Sequence, residues 1–284
     1  MKTAIITGAA GGIGFEITKA MTEAGYHVVM ACRNIKAAEV KIAEILTCNK
    51  NGSIEVIYLD LSDLNSVISF VSEISRKFDS VDLLMNNAGM IPTCFELTSD
   101  GFERTVCINY VAPYLLTRKL IPLMPEGARI VNMISCTYKH GKIELPDFFY
   151  YGRRGDFRRL SIYSNTKLAL LFFTFELSKR LQQKGISVNA ADPGIVSTNI
   201  IRMKKWFDPL ADIFFRPFIK TPEQGASAVI KLLLADEFAG VTGQVSAGGK
   251  LKNIKPEYQN QPIQAQLWED TENLIWKHLG LNNY

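Results

Sequence analysis

The sequence predicts one doubly wound α/β domain, 1–284, built on a mainly parallel seven-stranded sheet. Three observations predict it. Short β-branched or aliphatic runs alternate with longer stretches of helical spacing. No internal repeat or low-complexity linker divides the chain. The 284 residues are 47% hydrophobic and 21% charged, a globular composition that excludes disordered, collagenous and coiled-coil classes.

The runs read as strands are 3–7, 27–31, 54–59, 82–86, 128–134, 186–191 and 241–247. Their near-continuous apolar character suits parallel strands covered on both faces. The segments 13–24, 35–47, 64–78, 100–121, 161–184 and 222–235 read as the helices between them, with a last helix at about 263–279. Two segments break the alternation. About 136–160 carries Phe148, Phe149, Tyr150, Tyr151 and Phe157; about 195–220 carries Trp206, Phe207, Phe214, Phe215 and Phe218. Both follow strands on the edge where open α/β sheets bind ligands, so they are expected to form substrate lids, with ordinary core packing as the alternative.

A net charge of +4 makes a weak general case for nucleic acid. The basic clusters Arg153-Arg154 with Arg158-Arg159, and Arg202 with Lys204-Lys205, read as solvated faces, an anionic ligand being the other reading. Five cysteines without CxxC spacing fit reduced thiols in a cytosolic protein, and three histidines without HExxH leave no metal site to expect. Met1-Lys2-Thr3 runs straight into an apolar strand, leaving no room for a cleavable signal. The apolar stretch Leu168 to Leu177, interrupted by Thr174 and Glu176, is about half the ~20 residues of a membrane span. A cytoplasmic location without an integral membrane segment is expected. Whether copies associate is left open.

The first strand runs into Thr7-Gly8-Ala9-Ala10-Gly11-Gly12-Ile13-Gly14 and then a helix, placing glycines where backbone amides could approach a pyrophosphate. A tight strand-to-helix turn needs glycine for backbone reasons too. The spacing departs from GxGxxG, and no lysine stands where a P-loop requires one, which disfavours ATP or GTP chemistry. Further on, Tyr163 and Lys167 stand at i and i+4 in a stretch of helical apolar spacing, hence on one helix face. A nearby ammonium favours the phenolate, so this pair is suited to proton transfer. A second Tyr-x3-Lys, Tyr138 to Lys142, contains Gly141 and lies in an irregular segment, so it reads as a decoy. Pro113 lies four residues after Asn109 and has no amide hydrogen, which deprives the Asn109 carbonyl of its helical donor; a kink serving packing alone is the alternative.

TGAAGGIG, Asp60-Leu61, Asn86-Asn87-Ala88-Gly89, Asn109, Ser135, Tyr163-x3-Lys167 and Pro193-Gly194 together resemble, in order and spacing, the short-chain dehydrogenase/reductase family over nearly the whole chain. The resemblance implies a Rossmann-type fold and an oxidoreductase that passes a hydride between NADP(H) and an alcohol or carbonyl carbon. It implies Asn109, Ser135, Tyr163 and Lys167 as catalytic. Tyr163 would be general acid in reduction and general base in oxidation. Lys167 would also grip the nicotinamide ribose, Ser135 would hydrogen-bond the substrate oxygen, and the Asn109 carbonyl would hold a water that extends a proton path. The cofactor would lie on Gly8, Gly12, Ile13, Gly14, Asp60, Leu61, Asn87, Ala88 and Gly89, with Asn86 supporting the sheet and Pro193, Gly194, Val196 and Thr198 at the nicotinamide. Asp192, before the proline, receives no role.

At the end of the second strand NAD-preferring members place an acidic residue; here Cys32 stands there and Arg33 follows, a planar cation suited to a 2′-phosphate. NADPH is therefore expected over NADH. HVVMACRN, the Ser135 to Tyr163 separation and the terminal LWEDTENLIWKHLG look like the retinol dehydrogenase and protochlorophyllide reductase-like branch, which suggests an apolar small-molecule substrate. A nonenzymatic NADP(H)-binding sensor is the rival reading, opposed by the presence of Ser135, Tyr163 and Lys167. A structural interaction module using the last helix is a more distant one.

Overall fold

The computed structural model describes residues 1–153, 155–196 and 220–280. The strands are β1 (Thr3–Thr7), β2 (His27–Cys32), β3 (Ser53–Tyr58), β4 (Leu83–Asn86), β5 (Arg129–Met133), β6 (Ser187–Asp192), β7 (Val245–Ala247) and β8 (Lys250–Lys252). They form one sheet in the order β3-β2-β1-β4-β5-β6-β7-β8, parallel except for the last pair. Among the described residues, eight strands stand where seven were expected. The extra one, Lys-Leu-Lys, is exposed along its length, so no buried face left an apolar pattern to read. Its lysines suit an edge that must not pair further.

The helices are α1 (Gly12–Glu23), α2 (Ile35–Cys48), α3 (Leu64–Lys77), the short α4 (Arg104–Val106), α5 (Ala112–Leu120), α6 (Arg159–Leu181), α7 (Pro222–Leu234) and α8 (Pro262–Leu279). One core layer lies between the sheet and the α1, α2 and α7 side, around Ile17, Met21, Val229 and Leu232. The other holds α3, α5 and α6, around Phe70, Tyr114 and Phe173. The helix expected over 100–121 is interrupted. Between α4 and α5, Cys107–Val111 winds as a π-turn in which the Ala112 amide donates to the Cys107 carbonyl. Pro113 then opens α5, where its missing N–H costs little.

The last helix closes the layer from outside. Trp268 stacks on Phe173 with centroids 5.8 Å apart and meets Tyr114 edge-on at 5.0 Å. The Tyr110 hydroxyl pairs with Thr271 at 2.9 Å. This aromatic payload explains why α6 is buried on nearly all sides. No helix among the described residues is long and apolar enough to cross a membrane.

Sheet order reverses between β1 and β4, so a crevice opens at their carboxyl ends. Beyond β6 the chain leaves at Val196 and returns beside it at Lys220 through an isolated parallel bridge, with the Lys220 amide donating to the Ile195 carbonyl at 2.9 Å. Thr198, most of the expected 195–220 lid with Trp206, Phe207, Phe214, Phe215 and Phe218, and Arg154, Arg202, Lys204 and Lys205 lie outside the described residues.

Candidate active site

The turn after β1 is built for close backbone approach. Gly8 and Gly12 have φ of +63° and +50°, in the left-handed region. A Cβ on Gly14 would fall 2.4 Å from the Gly8 carbonyl oxygen and 2.6 Å from Asn87 Nδ2, so Gly14 serves packing between loop and helix. Thr7 ties this turn to the loop after β4: its hydroxyl accepts the Asn87 and Ala88 amides at 3.0 and 2.9 Å. Asn87 Nδ2 answers by donating to the Thr7 carbonyl at 2.9 Å. Helix α1 has no side-chain cap and no acid in its first turn, leaving free amides and a positive end facing the crevice.

Tyr163 and Lys167 come from α6, and Ser135 from just beyond β5. All three line one cavity of about 510 Å³. Gly8, Gly12, Ile13, Asn87, Ala88, Gly89, Pro193, Gly194 and Val196 line it with them. Arg33, Asp60 and Leu61 line an adjoining cavity of about 380 Å³ that shares Gly8, Ala88 and Gly89. The described ones among the expected cofactor residues, Gly14 aside, therefore line two adjoining cavities at the carboxyl edge of the sheet. Arg33 is 60% exposed at the rim, 3.9 Å from Asp60 Oδ2. Cys32 beside it is buried; burial pushes its thiol pKa up, and its sulfur takes N–H contacts from Ala10 and Ala9.

Lys167 is buried, and its Nζ donates to the Met133 carbonyl at 2.8 Å and sits 5.6 Å from the centre of the Tyr163 ring. Burial lowers its pKa to about 8, with the Asp192 carboxylate opposing. Burial likewise raises the Tyr163 phenol to about 12; a hydrogen bond with Ser135 draws it down, and the charges of Asp192 and Cys136 push it further up. The nearby ammonium, expected to favour the phenolate, is thus set against burial. Desolvation penalises both charged forms and outweighs the proximity of the pair. Asp192, given no role from the sequence, accepts the Gly194 amide at 3.0 Å and acts electrostatically on both groups.

Asn109 is buried in the π-turn and lines neither cavity. Its Oδ1 accepts the Met90 amide at 2.8 Å, and its Nδ2 donates to the Met90 carbonyl at 2.9 Å and to Thr166 Oγ1 at 3.1 Å. Asn86, also buried, donates to Thr117 and Asn132 and so holds the sheet rather than a ligand. Of the segment 136–160, expected as a lid or as core, Cys136 and Thr137 line the cavity that holds Tyr163, whereas Phe148 and Phe149 sink into the core. Tyr150 and Tyr151 instead line a separate polar groove of about 880 Å³ on the Ser161 and Asn165 face of α6. Packing beneath the sheet claimed the aromatics first.

Several walls carry no sequence signal. Ile91, Met133, Ile134 and Ile195 reach the catalytic cavity, and Arg104 reaches the adjoining one while pairing with Glu96 at 2.5 Å. Tertiary folding alone brings them there.

A family model for short chain dehydrogenase matches residues 2–206. Among curated relatives, retinol dehydrogenase 13 of Homo sapiens is 31% identical over 281 residues, covering 96% of this chain and 84% of that protein. Retinol dehydrogenase 12 of Mus musculus is 33% identical over 271 residues, covering 94% and 84%. Among solved structures, a protein from Mycobacterium paratuberculosis superposes with a TM-score of 0.76 at 28% identity, covering 96% of this chain and 93% of that one. An NAD(P)-dependent gluconate 5-dehydrogenase from Beutenbergia cavernae, with bound NADP, gives 0.69 at 26%, covering 87% and 94%.

Proposed function

The chain belongs to the short-chain dehydrogenase family and is an oxidoreductase with a nicotinamide cofactor; from that premise we propose that it reduces the carbonyl of an apolar small molecule with NADPH. The observation that carries this reading is the single cavity in which Ser135 and Tyr163 meet the glycine cradle. The residues fit the cofactor: Gly8 and Gly12 hold left-handed backbone, and a Cβ on Gly8 would fall 3.1 Å from the Ala88 backbone, closing the approach.

Gly8, Gly12, Ile13, Asn87, Ala88 and Gly89 would hold the dinucleotide, Asp60 and Leu61 its adenine side, and Pro193, Gly194, Val196 and Thr198 its nicotinamide side. The cofactor supplies the hydride. This chain's residues supply the proton and the orientation. With a pKa near 12, Tyr163 keeps its proton at neutral pH and can give it to a carbonyl oxygen that Ser135 also holds. Lys167, titrating near 8, is the group best placed to return a proton and to bind the nicotinamide ribose. The Asn109 carbonyl, which gets no N–H from Pro113, is an acceptor for a water extending that path.

Apolar walls from Ile91, Ile134 and Ile195 support an apolar substrate, and the retinol dehydrogenases among the relatives support the same class. Arg33 supports NADPH over NADH. The test is loss of NADPH absorbance with a panel of aldehydes and ketones graded in size and polarity. Consumption with bulky apolar carbonyls, abolished in Tyr163→Phe, is expected. Consumption indifferent to Tyr163, or none with any carbonyl, overturns the reading.

A further inference from the structure

Between Tyr163 and Lys167, on the same turn of α6, Thr166 is fully buried. Its hydroxyl accepts from Asn109 Nδ2 at 3.1 Å and donates to the Tyr163 carbonyl at 2.7 Å. A carboxamide has two donor hydrogens, and those of Asn109 go to Met90 and Thr166. Its oxygen is taken by the Met90 amide. The Asn109 side chain therefore has no donor left for a ligand and works as a clamp between the loop after β4 and α6. Thr166 is the only α6 side chain among the described residues that this clamp grips.

The clamp lies against the ammonium. A Cβ built on Gly89 would fall 3.4 Å from both Asn109 Oδ1 and Lys167 Nζ, so the two groups flank one glycine. Loss of the Thr166 hydroxyl leaves a buried Asn109 N–H without a partner and frees α6 to shift against the Met90 loop. Such a shift moves Lys167 and Tyr163 relative to the cofactor cradle, which Asn87 and Thr7 hold separately.

We propose that Thr166 is a positioning residue, whose hydroxyl fixes the Tyr163–Lys167 turn against Asn109 and the Met90 loop. It acts through those groups on the rate of the reaction and leaves substrate binding nearly untouched. This rests on the carbonyl-reductase reading for its kinetic consequence, and on the hydrogen bonds alone for its structural one.

The test compares Thr166→Val, which keeps shape and loses the hydroxyl, with Thr166→Ser, which keeps the hydroxyl. Two readouts are used. In the cofactor-free protein, the Lys167 amine is titrated by NMR of isotopically labelled lysine; wild type and Thr166→Ser are expected to titrate alike, and Thr166→Val to move by about half a pH unit or more. In the assay, Thr166→Val is expected to lose roughly tenfold in kcat, the scale of a buried N–H left unpaired, with KM for the carbonyl within about twofold and Thr166→Ser restoring most of it. Rates are normalised to the fraction of protein with a cooperative thermal transition, and Thr166→Ala replaces Thr166→Val if the latter does not fold. An unmoved Lys167 titration, a kcat within about twofold of wild type, or failure of Thr166→Ser to rescue overturns the proposal. If wild type reduces no carbonyl, the functional reading falls while the lysine titration still decides the positioning role.

Discussion

Two Tyr-x3-Lys segments stand 25 residues apart in this chain, and the fold treats them oppositely. Tyr138 and Lys142 straddle the end of a 3₁₀ turn, Cys136–His140, followed by Gly141. Tyr138 packs edge-on against Tyr258 at 5.2 Å, while Lys142 is 81% exposed and paired with Glu144 at 2.5 Å. Tyr163 and Lys167 share one face of a continuous helix, and the lysine is buried with its Nζ on a backbone carbonyl. Solvent leaves Lys142 charged, and the Glu144 carboxylate raises its pKa; burial drives Lys167 the other way, to about 8. The difference lies in what surrounds the residues. The same residue types at the same spacing become candidates for proton transfer only where a helix aligns them and desolvation brings the amine toward neutral pH.

The sharpest way to break this contrast is to remove each hydroxyl. Tyr163→Phe is expected to lower turnover by roughly 100-fold or more while NADPH still binds, and Tyr138→Phe to stay within a few-fold of wild type. Comparable losses in the two variants, measured as kcat on one carbonyl, would dissolve the distinction. Next come the lysines. Lys167→Ala should weaken both NADPH binding and turnover, because one ammonium serves ribose and tyrosine, whereas Lys142→Ala should change neither beyond about twofold. Fluorescence titration with NADPH beside steady-state rates checks both halves.

Arg33 extends the contrast to a second exposed cation, one expected to meet a ligand. A hydrogen bond to a charged group contributes about 1.5 to 3 kcal/mol, so Arg33→Ala is expected to cut the NADPH to NADH affinity ratio by roughly 10-fold or more. An unchanged ratio would return Arg33 to the same standing as Lys142. The smallest effect is on stability against pH. The folded pKa of Lys167 lies below its unfolded value of 10.5, so between about pH 8 and 10.5 the unfolded chain holds a proton that the folded chain has released. Stability from this group therefore rises with pH across that window. Lys142, shifted upward, contributes in the opposite sense, through stability lost as pH climbs above 10.5. Urea unfolding at pH 8 and pH 10 should show Lys167→Met losing its advantage over wild type as pH rises; a constant gap contradicts the burial of a titrating amine.

Much of the fold was legible because its central strands are buried on both faces and so read as unbroken aliphatic runs, as in Val28-Val29-Met30. The lysine-flanked β8 has no buried face and left no such trace. Proline at 113 announced a disturbed helix, yet the π-turn at Cys107–Val111 is a backbone register that composition does not encode. In the site, glycines with positive φ and the helical i, i+4 spacing of Tyr163 and Lys167 were readable from local rules. Thr7, Met90 and Thr166 were not, since each works through a partner 19 to 81 positions away. The phenol's high pKa was equally hidden: proximity of a cation is visible in sequence, but the depth at which the pair is buried is not.

The bridge between Val196 and Lys220 also bears on how this enzyme could change. Because the bridge fastens Val196, which lines the cavity, beside Lys220, a substitution that weakened it would loosen one wall of the cavity without touching the glycine cradle or the Tyr163 turn. Changes at this seam are thus a route to reshaping the cavity without any redesign of Ser135, Tyr163 or Lys167.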